Sequence, residues 1–336
     1  MRVCTKCVLP ETFPGIEFDE NGVCNHCRAH KQAEYTASRK TQYREKFERL
    51  WAERQASGAY DCLMSYSGGK DSTYTLDLLA REYGARVLAV TVDNGFVSPT
   101  AIENIRRVAE AVGVAHLFVK PRFDVLKKVF AACAERQIFP PKTLERASTI
   151  CTACMAMVKF ICLQIAVEKN IPFVVFGWSP GQAPVTSSVF KNNPEMIRKM
   201  QETVRKPLEE IAGGEILPYF LQEEHFARPE RFPYNINPLA FLEYDEARIH
   251  ARIEQLGWKK PEDTDPNSTN CLLNSFANTV HRKQFGYNPY AFELAELVRQ
   301  GTLDRHDALA RLSEPEDGEM VHLVKKRLGI EQPQLR

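Results

Sequence analysis

The sequence has no excess of charge of either sign: 44 Lys and Arg face 43 Asp and Glu, a formal net charge of +1 over 336 residues. A general electrostatic reason to hold nucleic acid is therefore missing, although a local patch is not excluded. Neither internal repeats nor low-complexity segments stand out. No signal peptide is expected, because Met1-Arg2-Val3-Cys4 leads straight into cysteines and prolines, and no uninterrupted apolar stretch is expected to reach membrane-spanning length. The expectation is a cytoplasmic protein with no membrane contact. In that compartment ten cysteines read as metal ligands, reactive thiols or core residues rather than disulfides. A 44% hydrophobic share suffices for a core, and the length suggests one catalytic domain with appendages.

The Walker pattern is also absent. In its place stands Ser67-Gly68-Gly69-Lys70-Asp71-Ser72, which follows the apolar run Tyr60 to Tyr66 and precedes a stretch with Leu76, Leu79 and Ala80 at helical spacing. A strand, a glycine turn and a helix start aim backbone N–H groups and the positive end of a helix dipole at one point, where an anion belongs. Gly68 and Gly69 let backbone approach phosphate oxygens, Ser65, Ser67 and Ser72 sit at the loop, Lys70 supplies charge, and Asp71 can hold Mg²⁺. These six residues resemble the SGGxDS loop of the PP-loop ATP pyrophosphatase superfamily. That resemblance implies a doubly wound parallel α/β sheet and cleavage of ATP between its α and β phosphates, leaving AMP on a carbonyl oxygen of an acceptor.

Downstream, strand and helix alternate: strands at 86–92, 116–119 and 173–176, helices at 101–112 and 123–136. Ligands of such sheets bind beyond the carboxyl ends of the strands, so Asp93, Asn94 and Gly177 are expected at the nucleotide, and the loop from Gly177 to Gln182 as a floor for the acceptor. Asn94-Gly95 also reads as a simple turn.

The cysteines fall into three sets. Cys4, Cys7, Cys24 and Cys27 form two CxxC knuckles that can close a tetrahedral thiolate shell around Zn²⁺ in a segment with few apolar residues, with His26 beside it. Cys151 and Cys154 begin a helix that carries Met157, Phe160, Ile161, Leu163 and Ile165; the helix dipole favours their thiolates, which points to redox exchange or to metal. Cys271 stands alone in the polar segment Asn267 to Cys271. Cys62, Cys133 and Cys162 read as core.

Cys151, Cys154 and Cys271 resemble the ligand layout of the [4Fe-4S] tRNA thiolases of the same superfamily, in which a CxxC and one later cysteine leave the fourth iron open. The N-terminal knuckles match the zinc module of the 2-thioribothymidine enzyme, whereas its C-terminal zinc module has no counterpart, since no cysteine follows Cys271. Asn237-Pro238-Leu239 and Tyr244-Asp245-Glu246 resemble that superfamily's late catalytic segment. The opening, Cys4 to Pro10 and Pro14 to Cys24, resembles instead the N-acetyl sugar amidotransferases of surface-polysaccharide synthesis, which take ammonia from a separate glutaminase subunit. The preferred reading is sulfur insertion, with Lys70, Asp71, Cys151, Cys154 and Cys271 as catalytic residues. Its cofactors are ATP, Mg²⁺, a [4Fe-4S] cluster and Zn²⁺, and its sulfur donor a cysteine desulfurase or sulfide. A cluster-free variant puts a persulfide on Cys151 or Cys154 and lets Cys271 resolve the disulfide. The acceptor stays open among tRNA, a free base and a nucleotide sugar, and a homodimer is compatible with the sequence.

The expected units are 1–31 for the zinc module, 32–58 for a connector helix, 59–285 for the catalytic domain and 286–336 for a helical appendage. The connector places Tyr43, Phe47, Leu50 and Trp51 on one face and ends at Ser57-Gly58. Its basic lean, from Arg39 to Arg49, reads as a solvated face. Residues 191–212 read as a polar helix, and 219–234, rich in aromatics and charge, as a solvated connection or a lid.

Overall fold

The computed structural model describes residues 1–30, 33–54, 58–265, 267–314 and 317–330. The end of the connector at Ser57 lies outside the described residues. Helices α1 (Asn25–Ala29) and α2 (Ala33–Ala52) precede strand β1 (Cys62–Ser65) and helix α3 (Lys70–Asp77). Then follow β2 (Val87–Val92), α4 (Pro99–Val112), β3 (Ala115–Val119), α5 (Phe123–Glu135), α6 (Thr149–Glu168) and β4 (Phe173–Phe176). The last part contains β5 (Val189–Lys191), α7 (Pro194–Ala212), α8 (Glu223–Phe226), β6 (Tyr234–Ile236), α9 (Glu246–Glu254), α10 (Leu273–Phe285), α11 (Ala291–Arg299), α12 (Arg305–Ser313) and α13 (Gly318–Leu328).

The six strands form one sheet in the order β3-β2-β1-β4-β6-β5, parallel except for β5. Both faces of the central strands β1, β2 and β4 are covered, which is why these strands read as continuous apolar runs, whereas the edge strand β3 leaves Leu117 and Phe118 exposed. Leu63, Leu88, Val90 and Val174 pack under α5 and α6, while Cys62, Met64, Val87 and Val175 pack against α2, α3, α4 and α9. The strand order turns back between β1 and β4, and Ser65 is in register with Val90 on one side and Phe176 on the other. The carboxyl ends of β1, β2 and β4 therefore open together into one crevice, the usual ligand site of such sheets.

Four expectations change. Strands β5 and β6 were not foreseen: three residues each, one of them with Asn235 at its centre, carry no period-two signal. The helix expected at 191–212 starts at Pro194, where the Asn193 side chain accepts from the Met196 amide at 3.0 Å. The 219–234 segment is a solvated connection only in part, because Gln222 to Glu224 and Ala227 to Glu230 are exposed while Phe220, His225 and Phe232 are buried and the two phenylalanines belong to the core beside α6. Finally, α6 is long and apolar enough by composition to span a membrane, with a mean hydropathy of 2.1. Most of its apolar residues, Met157, Phe160 and Leu163 among them, lie in the core, while Met155 is exposed.

The N-terminal segment packs against the α11 region. Val8, Leu9 and Phe13 share an apolar cluster with Tyr287, Leu294 and Leu297 of the α11 region and with Ala308 of α12. Helix α13 instead sends Val324 and Leu328 into the core beside α5 and α10.

Candidate active site and metal centre

Strand β1 delivers the chain to Gly68, whose φ of +78° suits only glycine, and a Cβ there would stand 2.6 Å from Ile105 Cγ1. Trp258 Nε1 donates to Gly68 O at 2.9 Å and fixes the turn. Gly69 caps α3 without a side-chain bond, so the first-turn amides face the crevice; that of Lys70 donates to Thr269 Oγ1 at 3.0 Å. The Ser67 and Ser72 hydroxyls are 3.0 Å apart. Gly177 lies so close to α3 that a Cβ would sit 2.6 Å from Ser72 Cα.

Lys70 Nζ donates to Asp71 Oδ2 at 2.9 Å and to the Tyr244 hydroxyl at 2.7 Å, and it pairs with Glu246 at 3.3 Å. Burial works against its charge, but Asp71, Tyr244 and Glu246 outweigh it and hold the ammonium above the ordinary lysine range. Burial likewise opposes ionised Glu246, yet the Arg311 hydrogen bond, at 2.8 Å, and the Lys70 charge bring its carboxyl down to about 2. A depressed carboxyl pKa means that this pairing stabilises the fold above the ordinary glutamate range and is lost as pH falls toward 2.

The three later cysteines come to the same place. Leu272 N donates to Phe96 O at 2.8 Å and Ser98 N to Asn270 O at 2.9 Å, with an antiparallel bridge between Val97 and Cys271. This pairing carries Cys271 to the end of β2. There Asn94 Nδ2 contacts Cys154 Sγ at 3.4 Å and Cys271 Sγ at 3.6 Å, so the amide stands between the two sulfurs. Cys151 lies in the first turn of α6, its amide donating to Ser148 Oγ at 3.0 Å, and Asn274 Nδ2 is 4.0 Å from its sulfur. One cavity of about 320 Å³ is lined by Ser65, Ser67, Gly69, Lys70, Asp71 and Ser72, and also by Asn94, Gly177 and all three cysteines. Asp93 points away, accepting from Gly95 N at 2.8 Å and pairing with Lys120 at 3.4 Å.

The sequence predicts thiols acidified by the helix dipole. Burial instead pushes Cys151 and Cys154 up to about 12 and raises Cys271. Buried thiols without a cation stay protonated, so the pocket favours thiolates only with a positively charged partner. At least one pair of these sulfurs stands more than 4.8 Å apart, too wide for one tetrahedral ion, whose thiolate edges are about 3.8 Å at a metal–sulfur distance of about 2.3 Å. An all-sulfur donor set is of the kind that iron–sulfur groups take. Cys62, Cys133 and Cys162 are fully buried in the core.

The N-terminal set has the closer spacing. Cys4 and Cys27 sulfurs are 3.8 Å apart and those of Cys7 and Cys24 3.7 Å, the edges expected of one tetrahedral ion. The amides of Lys6, Cys7 and Cys24 donate to Cys4 Sγ at 3.3 to 3.4 Å. Burial opposes ionisation of Cys4, but those amides prevail and lower its thiol to about 7. His26 is outside the four-sulfur group, edge-on to Phe13 and Phe292. Arg305 of α12 donates to the carbonyls of Cys4 and Cys7 at 2.8 and 2.9 Å. Cys4→Ser in the full chain is expected to lose one divalent ion per molecule and to lower the melting temperature, read by metal analysis and calorimetry; an unchanged metal count would exclude the site.

Several lining residues escaped the sequence reading. Arg146 stacks on Phe292 with its guanidinium carbon 4.3 Å from the ring centre. Thr269 lies in the Cys271 segment, Asn274 in α10, Tyr290 at the N-cap of α11 and Glu293 within α11. A conspicuously polar 267–271 segment was a usable signal for Thr269. For the other three no local pattern exists.

No protein-family model matches the chain. An uncharacterised protein of Methanocaldococcus jannaschii is 23% identical over 328 residues, covering 97% of this chain and 99% of that protein. Among solved structures, a U34-tRNA thiolase from Methanococcus maripaludis with its [4Fe-4S] cluster is 18% identical, covers 99% of both chains and superposes with a TM-score of 0.38. An NMN synthetase from Francisella tularensis is 10% identical over 91% of this chain and 100% of that one, with a TM-score of 0.37. An NH3-dependent NAD synthetase from Campylobacter jejuni is 13% identical over the same shares, at 0.36.

Proposed function

We propose that the protein is a PP-loop ATP pyrophosphatase that adenylates a carbonyl oxygen of its acceptor and replaces that oxygen with sulfur. The observation that carries this reading is the single cavity lined by both the phosphate loop and Cys151, Cys154 and Cys271. The α3 amides and Lys70 would hold the departing pyrophosphate, and Asp71 would hold Mg²⁺ or its water. For that, Lys70 exchanges Asp71 and Glu246 for phosphate oxygens, which keeps its charge compensated throughout. Cys151, Cys154 and Cys271 would hold a [4Fe-4S] cluster, which supplies an open iron site for a sulfur atom. Asn94, assigned to the nucleotide from sequence, would face the sulfurs of Cys154 and Cys271. Cys4, Cys7, Cys24 and Cys27 would hold Zn²⁺ and support the α11 wall rather than the chemistry. The cellular setting in this reading is the cytoplasm, with a cysteine desulfurase or sulfide as donor.

The opening segment favours a second reading, in which ammonia from a glutaminase subunit replaces sulfur and an N-acetyl sugar replaces a tRNA base. The test uses anaerobically reconstituted protein with ATP, either sulfide or ammonium, and either an unmodified tRNA transcript or UDP-N-acetylglucosamine. AMP together with a thiocarbonyl product is expected. AMP with an amidine product from the sugar, formed by iron-free protein, would replace the first reading by the second.

A further inference from the structure

Helix α11 brings a carboxylate into the cavity. Glu293 lines it together with Tyr290, Arg146 and Gln182, and it makes no ion pair among the described residues. Its Oε1 accepts a short hydrogen bond from the Ser179 hydroxyl, and the Gln182 side chain also bonds to it. The backbone behind it is tightly packed, since a Cβ on Gly181 would stand 2.5 Å from Glu293 O. A carboxylate held this firmly, without a cationic partner, is costly to keep beside a cavity for structure alone. The phosphate loop is close enough for the charges of Asp71 and Lys70 to act on it. Arg146, the other charged group on that wall, makes no salt bridge with Glu293, although the two charges act on each other; its Nη1 donates to Gln182 O at 2.9 Å and its plane lies on Phe292.

We propose that Glu293 is the proton acceptor of the adenylation step, and that the acceptor is a lactam or secondary amide whose N–H lies beside the activated carbonyl. This rests on the adenylation reading above and applies equally to a nucleobase and to an N-acetyl group. The chemistry requires such a base. When the carbonyl oxygen bonds to the α-phosphorus of ATP and the bond to pyrophosphate breaks, the C–N bond becomes double and the N–H proton must leave. Glu293 takes that proton and becomes a carboxylic acid; no electrons are exchanged with any other group. Burial already raises its carboxyl pKa, against the Ser179 hydrogen bond, which makes it a better base than an exposed glutamate. A carboxylate on this wall also repels a carboxylate at the reacting position, so N–H carbonyls are selected over carboxylic acids there.

The test measures AMP release by the full-length, anaerobically reconstituted protein with five probes: an unmodified tRNA transcript, UDP-N-acetylglucosamine, uridine, N3-methyluridine and benzoate. AMP is expected with at least one N–H carbonyl probe and not with N3-methyluridine or benzoate. Glu293→Gln, which preserves the bond from Ser179, is expected to lower that rate about 100-fold or more with unchanged ATP affinity, and Glu293→Asp to restore part of it. A Glu293→Gln rate within about threefold of wild type would overturn the assignment. AMP formed from benzoate, or equally from uridine and its N-methyl counterpart, would overturn the acceptor class. If wild type binds ATP but forms no AMP with any probe, adenylation itself is refuted and the Glu293 proposal with it, a failure seen in wild type and so distinct from one seen only in the variant.

Discussion

Lys70→Ala is expected to lower AMP formation by about 100- to 1,000-fold, the usual cost of removing one preorganised charge-stabilising group, while leaving the chain folded at a lower melting temperature, since Asp71 and Glu246 lose a buried cation. The first part follows from the position of Lys70 at the start of α3, where its ammonium is buried to 16% exposure among three acidic hydroxyl or carboxyl partners. Among the described residues no other lysine lines the cavity. The second follows from what remains: Tyr244 still donates to Asp71 at 2.9 Å and Arg311 still pairs with Glu246 at 2.8 Å. Asp71→Ala should be similarly inactive, with a steeper dependence on Mg²⁺ in whatever rate survives. The measurement is radiolabelled AMP and pyrophosphate release beside a thermal melt, and AMP formation within about threefold of wild type in Lys70→Ala would take the loop out of the mechanism.

The second large effect concerns iron. Anaerobically prepared protein is expected to be brown and to hold about four irons per chain, and Cys151→Ala, Cys154→Ala or Cys271→Ala should each lose nearly all of them. Removing any one ligand leaves two sulfurs and a buried, solvent-poor wall, which cannot hold a cuboidal cluster against chelation. Cys62→Ala, Cys133→Ala and Cys162→Ala should keep the iron, because those thiols are sealed in the core at 0% exposure. They should instead cost about 1 kcal/mol of stability each through the small void left. Iron retained in the Cys271 variant, or lost equally from the Cys162 variant, would contradict the assignment.

The phosphate loop was legible because its signal is local: a buried strand, two glycines and a helix start lie within a dozen residues, and each constrains the others. The parallel strands β1 to β4 were legible for the same reason, being apolar runs between helices of clear period. What escaped depends on distant pairing. Tyr234–Ile236 becomes a strand only because β4 offers it an edge, and Phe220 and Phe232 become core only because α6 lies over them. The three cysteines could be grouped from sequence, but not the Asn94 amide between two of them, because its role depends on the pairing of Val97 with Cys271. Glu293 was invisible for the strongest version of that reason. Its helix looks like an ordinary amphipathic appendage, and only the packing of Gly181 against it sets one of its polar positions on the cavity wall.

The cluster joining Leu9 and Phe13 to α11 has a consequence for the order in which the molecule is made. Thr12 Oγ1 bonds to Gly286 O across 274 residues, and Arg305 reaches back to Cys4 across 301. On a ribosome adding about 5 to 20 residues per second, the N-terminal knuckles emerge roughly 15 to 55 seconds before their apolar partners exist. Through that interval Leu9 and Phe13 have no helix to cover them. Metal captured early by the four thiolates would give the nascent end a fixed shape and hide part of this surface from chaperones. The acceptor wall forms last, so a chain stalled or clipped before α11 has its phosphate loop complete and no Glu293, and an N-terminal segment still waiting for cover.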